Sequence, residues 1–468
     1  MTTRILLAVL VVLAFGASAT HGFHFDDWDI VHGANWNEFQ TRPLTWLSFE
    51  ANAALGPRPF LWHLVNLAAH ISAVLLLYEL LLLWAAPAAL LAAAIFAVHP
   101  IQAESVAYVY SRATLFSTAL SLTAMLFWAR GRKLLAVISF AFALLAKEDC
   151  VLVPAMILIV EFAAGRLKRN AIAGLTAMVV LAAAAGTWTL LATRAAHSGA
   201  GFNAGIAWQN YLLDQGYVML RYLRLVVLPY GFTIDPEIQI TLLQALIAWF
   251  ALAALLFLST RLRGGYWFVA GVVLLLPSSS VFPAADLAAD HRMYLPMIAF
   301  ATAIAVQLLR APRWAQIAVP TALILVSVVR MNVWADDSKL WAEAVGRSPD
   351  KVRPRIQLAR SLDPATAIQV LDAANAKFFN DPDIESDRGR VYLQLGRPRD
   401  ALIEFGRVLA ARPQDAHAIN NRAVALEAMG QDATAKIEFR RALQNDPCLE
   451  EARKNLGLDP CAQSATAR

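Results

Sequence analysis

Residues 313–347, RWAQIAVPTALILVSVVRMNVWADDSKLWAEAVGR, hold the point at which this chain changes character. Up to about Val333 the chain is a succession of apolar runs broken by short polar loops; beyond it the sequence is charged and repeats every 34 residues. The expected division is therefore a membrane-embedded domain over 1–332 and a helical repeat domain over 333–468. The fold class expected is all-α.

A 468-residue chain with 58% hydrophobic residues is too apolar for a single soluble core. Runs such as Leu6–Ala17, Ile71–Trp84 and Leu242–Leu258 recur too often for one buried helix. Basic clusters at Arg130, Arg132 and Lys133, at Arg166, Lys168 and Arg169, at Arg261 and Arg263, and at Arg310 and Arg313 mark the cytoplasmic loops, because positive loops resist translocation. Between these markers, 11 spans are expected, near 4–20, 61–84, 87–100, 113–129, 134–148, 150–163, 171–193, 240–260, 265–277, 294–309 and 314–330. An odd count with the N-terminus inside puts the repeat domain in a periplasm or another extracytoplasmic space, and the protein in the inner membrane. Residues 1–20 also read as a cleavable signal peptide, which leaves this topology unchanged. Residues 211–229 carry Asp214, Arg221 and Arg224, and a span there would push Arg261 and Arg263 outside, so a re-entrant or interfacial segment is expected. The net charge of +5 lies in loop clusters that membrane orientation accounts for, which argues against nucleic acid.

Toward the C-terminus, Gly396 and Gly430, Ala401 and Ala435, Phe405 and Phe439, and Pro413 and Pro447 are each 34 residues apart. That is the tetratricopeptide period. Small residues let two helices approach, the aromatic fills the space between units and the proline ends the second helix. Tyr392 takes the aromatic position of a first helix, and a degenerate unit at 351–382 with a further second helix at Lys339–Pro349 brings the array to about three and a half repeats. Such an array exposes a groove for an acceptor peptide or partner protein, or serves as a spacer or dimerisation module. Cys448 and Cys461 flank the last helical segment and are expected to pair in an oxidising compartment; with Cys150 they show no zinc spacing.

The chemistry sits in the loops expected outside. His24-Phe25-Asp26-Asp27-Trp28-Asp29 places three carboxylates in four residues beside a membrane surface. Like charges there repel and resist desolvation, so they suit a general base with an orienting neighbour, or else a solvated acidic loop. A second loop runs from His99-Pro100 through Glu104 to Tyr110-Ser111-Arg112, and a third carries Asp286, Asp290, His291, Arg292 and Tyr294. Arg292 next to His291 suits a phosphate or a snorkelling helix end.

The strings Thr41-Arg42-Pro43-Leu44, Trp62-His63-Leu64-Val65-Asn66-Leu67 with His70, Phe96-Ala97-Val98-His99-Pro100 with Glu104-Ser105-Val106-Ala107, Lys147-Glu148 and Asp290-His291-Arg292-Met293-Tyr294-Leu295-Pro296, with Trp341 ahead of the repeats, carry a resemblance in order along almost the whole chain. They resemble the transmembrane and tetratricopeptide-repeat O-mannosyltransferases and their bacterial relatives, similar to the GT-C glycosyltransferases. The resemblance implies transfer of a mannose-like hexose from a polyprenyl-phosphate donor to an acceptor hydroxyl outside the cytoplasm. It places the base at Asp26 or Asp27 and a second-loop acid at Glu104, and it sets His291 and Arg292 against the donor phosphate; Asp29 matches no position. Arg112, Arg221 and Arg224 are further phosphate candidates.

Such a donor is already activated, so the enzyme need only take the acceptor proton, align the hydroxyl with the anomeric carbon and neutralise the departing phosphate, with inversion at the anomeric centre. A divalent metal could bridge carboxylates and phosphate, but no ligand spacing demands one. A transporter and a non-catalytic membrane scaffold are the other classes the sequence leaves open. No inverted repeat favours the first, and the second leaves the charged outer loops without a task.

Overall fold

The computed structural model describes residues 1–31, 41–169, 171–195, 206–279, 282–284 and 286–461, and among these the regular structure is helical. The chain forms two compact units, Met1–Asp336 and Asp337–Arg468.

In the first unit, α1 (Thr2–Phe15) leads to a short α2 (Asp26–Val31), α3 (Pro43–Ala53) and the 26-residue α4 (Pro59–Trp84). Next come α5 (Ala89–Val98), α6 (Ala103–Ala107), α7 (Arg112–Ala129), α8 (Lys133–Ala146) and α9 (Val153–Ala163). α10 (Ala171–Ala195), α11 (Trp208–Val227), α12 (Leu242–Ser259), α13 (Gly265–Leu275), α14 (Met297–Leu308) and α15 (Arg313–Val333) complete the unit. The Ala-rich α5 is the centre of the packing: nine of its ten residues are buried, against α1, α4, α14 and α15. Small side chains permit that close approach on every side. α5 stops at Val98 because His99 is extended ahead of Pro100, and the chain bends by 50° into the next helical segment.

Five helical segments are both long and apolar enough to cross a membrane, at Thr2–Thr20, Pro59–Trp84, Ala171–Ala192, Leu242–Ser259 and Arg313–Val333, and the bent segment Ala86–Ala107 makes a sixth if it counts as one span. That is fewer than the 11 expected. The shortfall has a physical reason: α8 has 14 residues, α9 and α13 have 11 each and α14 has 12. At ~1.5 Å per residue these fall short of a ~30 Å hydrocarbon layer unaided. The segment expected to be re-entrant or interfacial is one unbroken helix, α11, whose inner face is buried. It lies tight against α12 because Gly216 leaves room for the Trp249 indole, which donates to the Leu212 carbonyl at 3.1 Å; a Cβ at Gly216 would come within 2.7 Å of that ring.

The second unit is a run of short helices packed in sequence: α16 (Asp337–Arg347), α17 (Arg353–Arg360), α18 (Pro364–Lys377), α19 (Pro382–Gln394), α20 (Pro398–Ala411), α21 (Ala416–Glu427), α22 (Asp432–Asn445) and α23 (Glu450–Asn455). The 34-residue register has a structural cause. Gly396 and Gly430 take φ of +68° and +75° at the turns between α19 and α20 and between α21 and α22, a conformation that glycine adopts without strain. Ala401, Phe405, Ala435 and Phe439 are buried between the helices, and Phe405 lies so close to Gly389 that a Cβ there would meet its ring at 2.6 Å.

Cys448 and Cys461 form a disulfide across a separation of 13 residues, tying the chain after α23 back to its start. A loop of that size corresponds to a contribution of about 3 kcal/mol in the chain-entropy account. Neither cysteine of the intact, unreduced protein should take up a thiol label, and both should do so after reduction. Full labelling before reduction would overturn the pairing.

Candidate functional site

The first-loop carboxylates divide their work. Asp27 is fully buried, and its oxygens accept backbone N–H groups from His24 at 3.1 Å, Val109 at 3.4 Å and Tyr110 at 2.8 Å. It stitches α2 to the turn ahead of α7. Asp26 is exposed and accepts the Tyr108 hydroxyl at 2.6 Å. Burial, and then the charges of Asp26 and Asp27, hold that phenol protonated well above its usual range, so Tyr108 is the donor in the pair.

Burial pushes the Asp27 carboxyl up to about 7, against the pull of His24 and the three backbone donors. An unfolded aspartate titrates near ~3.9, so between these values the folded chain binds the proton more tightly. The resulting stabilisation is full below pH ~4 and is lost as pH rises through about 7. The melting temperature should therefore fall between pH 6 and pH 8, and Asp27→Asn should remove that component of the slope. An unchanged slope in the variant would show that Asp27 does not titrate there.

Glu104 is buried at the start of α6, with both oxygens committed to the third loop: Oε2 accepts the Asp290 N–H at 3.0 Å and Oε1 faces His291 Nδ1 at 2.5 Å. Asp290 in turn accepts Arg221 from α11 at 2.9 Å. The Tyr222 hydroxyl both donates to the Ala289 carbonyl at 2.9 Å and accepts the Ala289 N–H at 2.8 Å. Arg292 ties the same loop to itself, donating to the carbonyls of Asp286 at 2.7 Å, Leu287 at 3.1 Å and Ser278 at 3.4 Å. The structure thus brings Glu104, Arg221, Asp290, His291 and Arg292 together, and joins Asp26 to Tyr108.

It does not bring all the candidate cations there. Arg112 is fully buried under the rings of Phe49 and Trp62, and its guanidinium donates to Asn66 at 3.0 Å, to the Ser48 carbonyl at 3.2 Å and to the Trp62 carbonyl at 3.0 Å. Its donors are spent on the protein. Arg224 is exposed on the outer side of α11, and Arg221 is occupied by Asp290.

A cavity of about 400 Å³ is lined in part by His291, Arg292, Tyr108 and Tyr110. Arg42, Lys147, Glu148 and Asp149 also line it, none of which stood among the candidate site residues. Arg42 forks onto Glu148 at 2.7 and 3.1 Å, and Lys147 meets Asp149 at 3.2 Å and the Thr114 hydroxyl at 2.6 Å. The sequence did carry a signal for them: the charged triplet Lys147-Glu148-Asp149 is wedged between two apolar helices, where solvation alone gives it no reason to be. Gly186, Thr189 and Leu190 of α10 form a further wall, and α10 belongs to a segment apolar enough to cross a membrane of which only 6% is buried. Among the described residues, no group of three or more His, Cys, Asp or Glu stands placed to hold a metal ion.

No family model matches the chain, and no curated protein matches it.

Proposed function

We propose that the first unit is a membrane glycosyltransferase of the GT-C kind, taking a mannose-like hexose from a polyprenyl phosphate and placing it on an acceptor hydroxyl of a protein outside the cytoplasm. The observation that carries this reading is the cavity itself. It joins a cationic face, for a phosphate, to a wall on the apolar α10, for a lipid tail, and to the tyrosine that hydrogen-bonds an exposed carboxylate.

In this reading Asp26 is the base, because Asp27 has its oxygens spent on backbone N–H groups, while Asp26 is exposed and oriented by Tyr108. Its carboxylate takes the acceptor proton as the hydroxyl attacks the anomeric carbon. The bond from that carbon to the phosphate oxygen breaks, and the electron pair leaves with the phosphate. His291, Arg292, Lys147 and Arg42 supply the positive surroundings that stabilise the departing charge. The chain crosses the membrane 11 times, the shorter helices being shielded by their neighbours. The second unit is a tetratricopeptide-repeat solenoid on the extracytoplasmic side that binds the acceptor, in a compartment where the disulfide persists.

The test pairs two measurements. Purified protein in nanodiscs should move labelled hexose from a polyprenyl-phosphate hexose to an acceptor fraction of extracytoplasmic proteins. Mass spectrometry of those proteins from cells with and without the gene should show hexose on Ser or Thr in the first set alone. Identical glycosylation in both sets, with no transfer in vitro, would sink the reading in favour of a scaffold.

A further inference from the structure

We infer that Glu104 acts through His291: it is a positioning residue, and the imidazole it holds is the group that meets the donor phosphate. This deepens the glycosyltransferase reading and rests on it.

Glu104 cannot reach a substrate as it stands. Its side chain is 6% exposed, and each oxygen already accepts from the 290–291 backbone or ring. His291 does line the cavity, with its side chain 27% exposed. With the Asp290 N–H on one oxygen of Glu104, the other accepts the Nδ1–H of His291, which fixes the ring plane and leaves Nε2 to the cavity.

The flanking residues are held as firmly, so the ring has little freedom to turn away. Ala289 is clasped through both backbone groups by Tyr222, Asp290 is paired with Arg221, and Arg292 is bonded to the carbonyls of its own loop. Two other cavity cations answer to partners within the cavity, Arg42 to Glu148 and Lys147 to Asp149. His291 differs, because its anionic partner lies behind it. Its outward nitrogen can therefore engage an incoming phosphate without displacing Glu104.

With protons on both ring nitrogens, Nδ1–H stays with Glu104 and Nε2–H donates to the phosphate oxygen that receives the electron pair as the sugar leaves. The acceptor proton goes to Asp26, so the step needs no further reactant.

A double-mutant cycle tests this. The side-chain nitrogen of Gln falls near the place of Nε2, whereas that of Asn falls near Nδ1. His291→Asn should lower transfer about 100-fold and weaken inhibition by farnesyl phosphate about tenfold, while His291→Gln should restore most of both. Glu104→Gln should cost about 10- to 100-fold in the wild-type background and less than about twofold on top of His291→Gln. An equal cost of Glu104→Gln in both backgrounds would overturn the inference, because Glu104 would then act on its own. Should Glu104→Gln not fold, equal losses in His291→Asn and His291→Gln overturn it as well. If the wild-type protein neither transfers hexose nor binds farnesyl phosphate, the glycosyltransferase reading is what fails. A transferring wild type with an additive cycle removes only the dyad.

Discussion

Asp26→Asn should lower hexose transfer by about two to four orders of magnitude, the range for loss of a general base, with no change in melting temperature. The expectation rests on the exposure of Asp26 and on its bond from the Tyr108 hydroxyl, which an asparagine carbonyl can still accept. Asp27→Asn should behave in the opposite way. Its amide would set a donor against one of the backbone N–H groups of His24, Val109 or Tyr110, at a cost of about 1–3 kcal/mol, and turnover per folded molecule should fall far less. Initial rates and scanning fluorimetry on the same preparations separate the two outcomes. Full activity in Asp26→Asn together with an inactive, normally melting Asp27→Asn would reverse the assignment.

That reversal of roles within one dipeptide shows where reading the sequence stops. The all-helical class was legible because apolar runs and a 34-residue register are local patterns, and Gly396 and Gly430 owe their spacing to turns that lie beside them in sequence. The clustering of charge ahead of helices was legible for the same reason, and Glu104 and the 290–292 loop do meet. What the sequence could not show is which member of each cluster is spent on the fold. The partners that bury Asp27 lie at Val109 and Tyr110, more than 80 residues away, and nothing local distinguishes it from Asp26. Likewise, Arg42 and Lys147 sit at helix junctions far apart in sequence and become cavity walls through packing alone. The count of spans was the least legible quantity, since a 14-residue apolar helix reads the same whether it crosses lipid or packs inside protein.

Arg112 carries the second large effect, and it follows from the same distinction. As a phosphate ligand its loss would weaken the donor and leave the fold alone; the structure gives it the reverse character. The guanidinium is fully buried, stacks within 4.8 Å of the Phe49 ring and bridges α3, α4 and α7 through Ser48, Trp62 and Asn66. Arg112→Met keeps much of the apolar volume but strands two carbonyls and an amide without donors. Each stranded group costs about 1–3 kcal/mol, so a loss on the order of 3–5 kcal/mol is expected. Arg112→Lys should recover only part of it, because one ammonium cannot span three acceptors set around a planar fork. Both variants should yield less folded protein and melt lower, whereas the fraction that folds should keep a near-normal apparent affinity for farnesyl phosphate. A wild-type melting temperature with a donor affinity reduced tenfold or more would instead return Arg112 to the phosphate site.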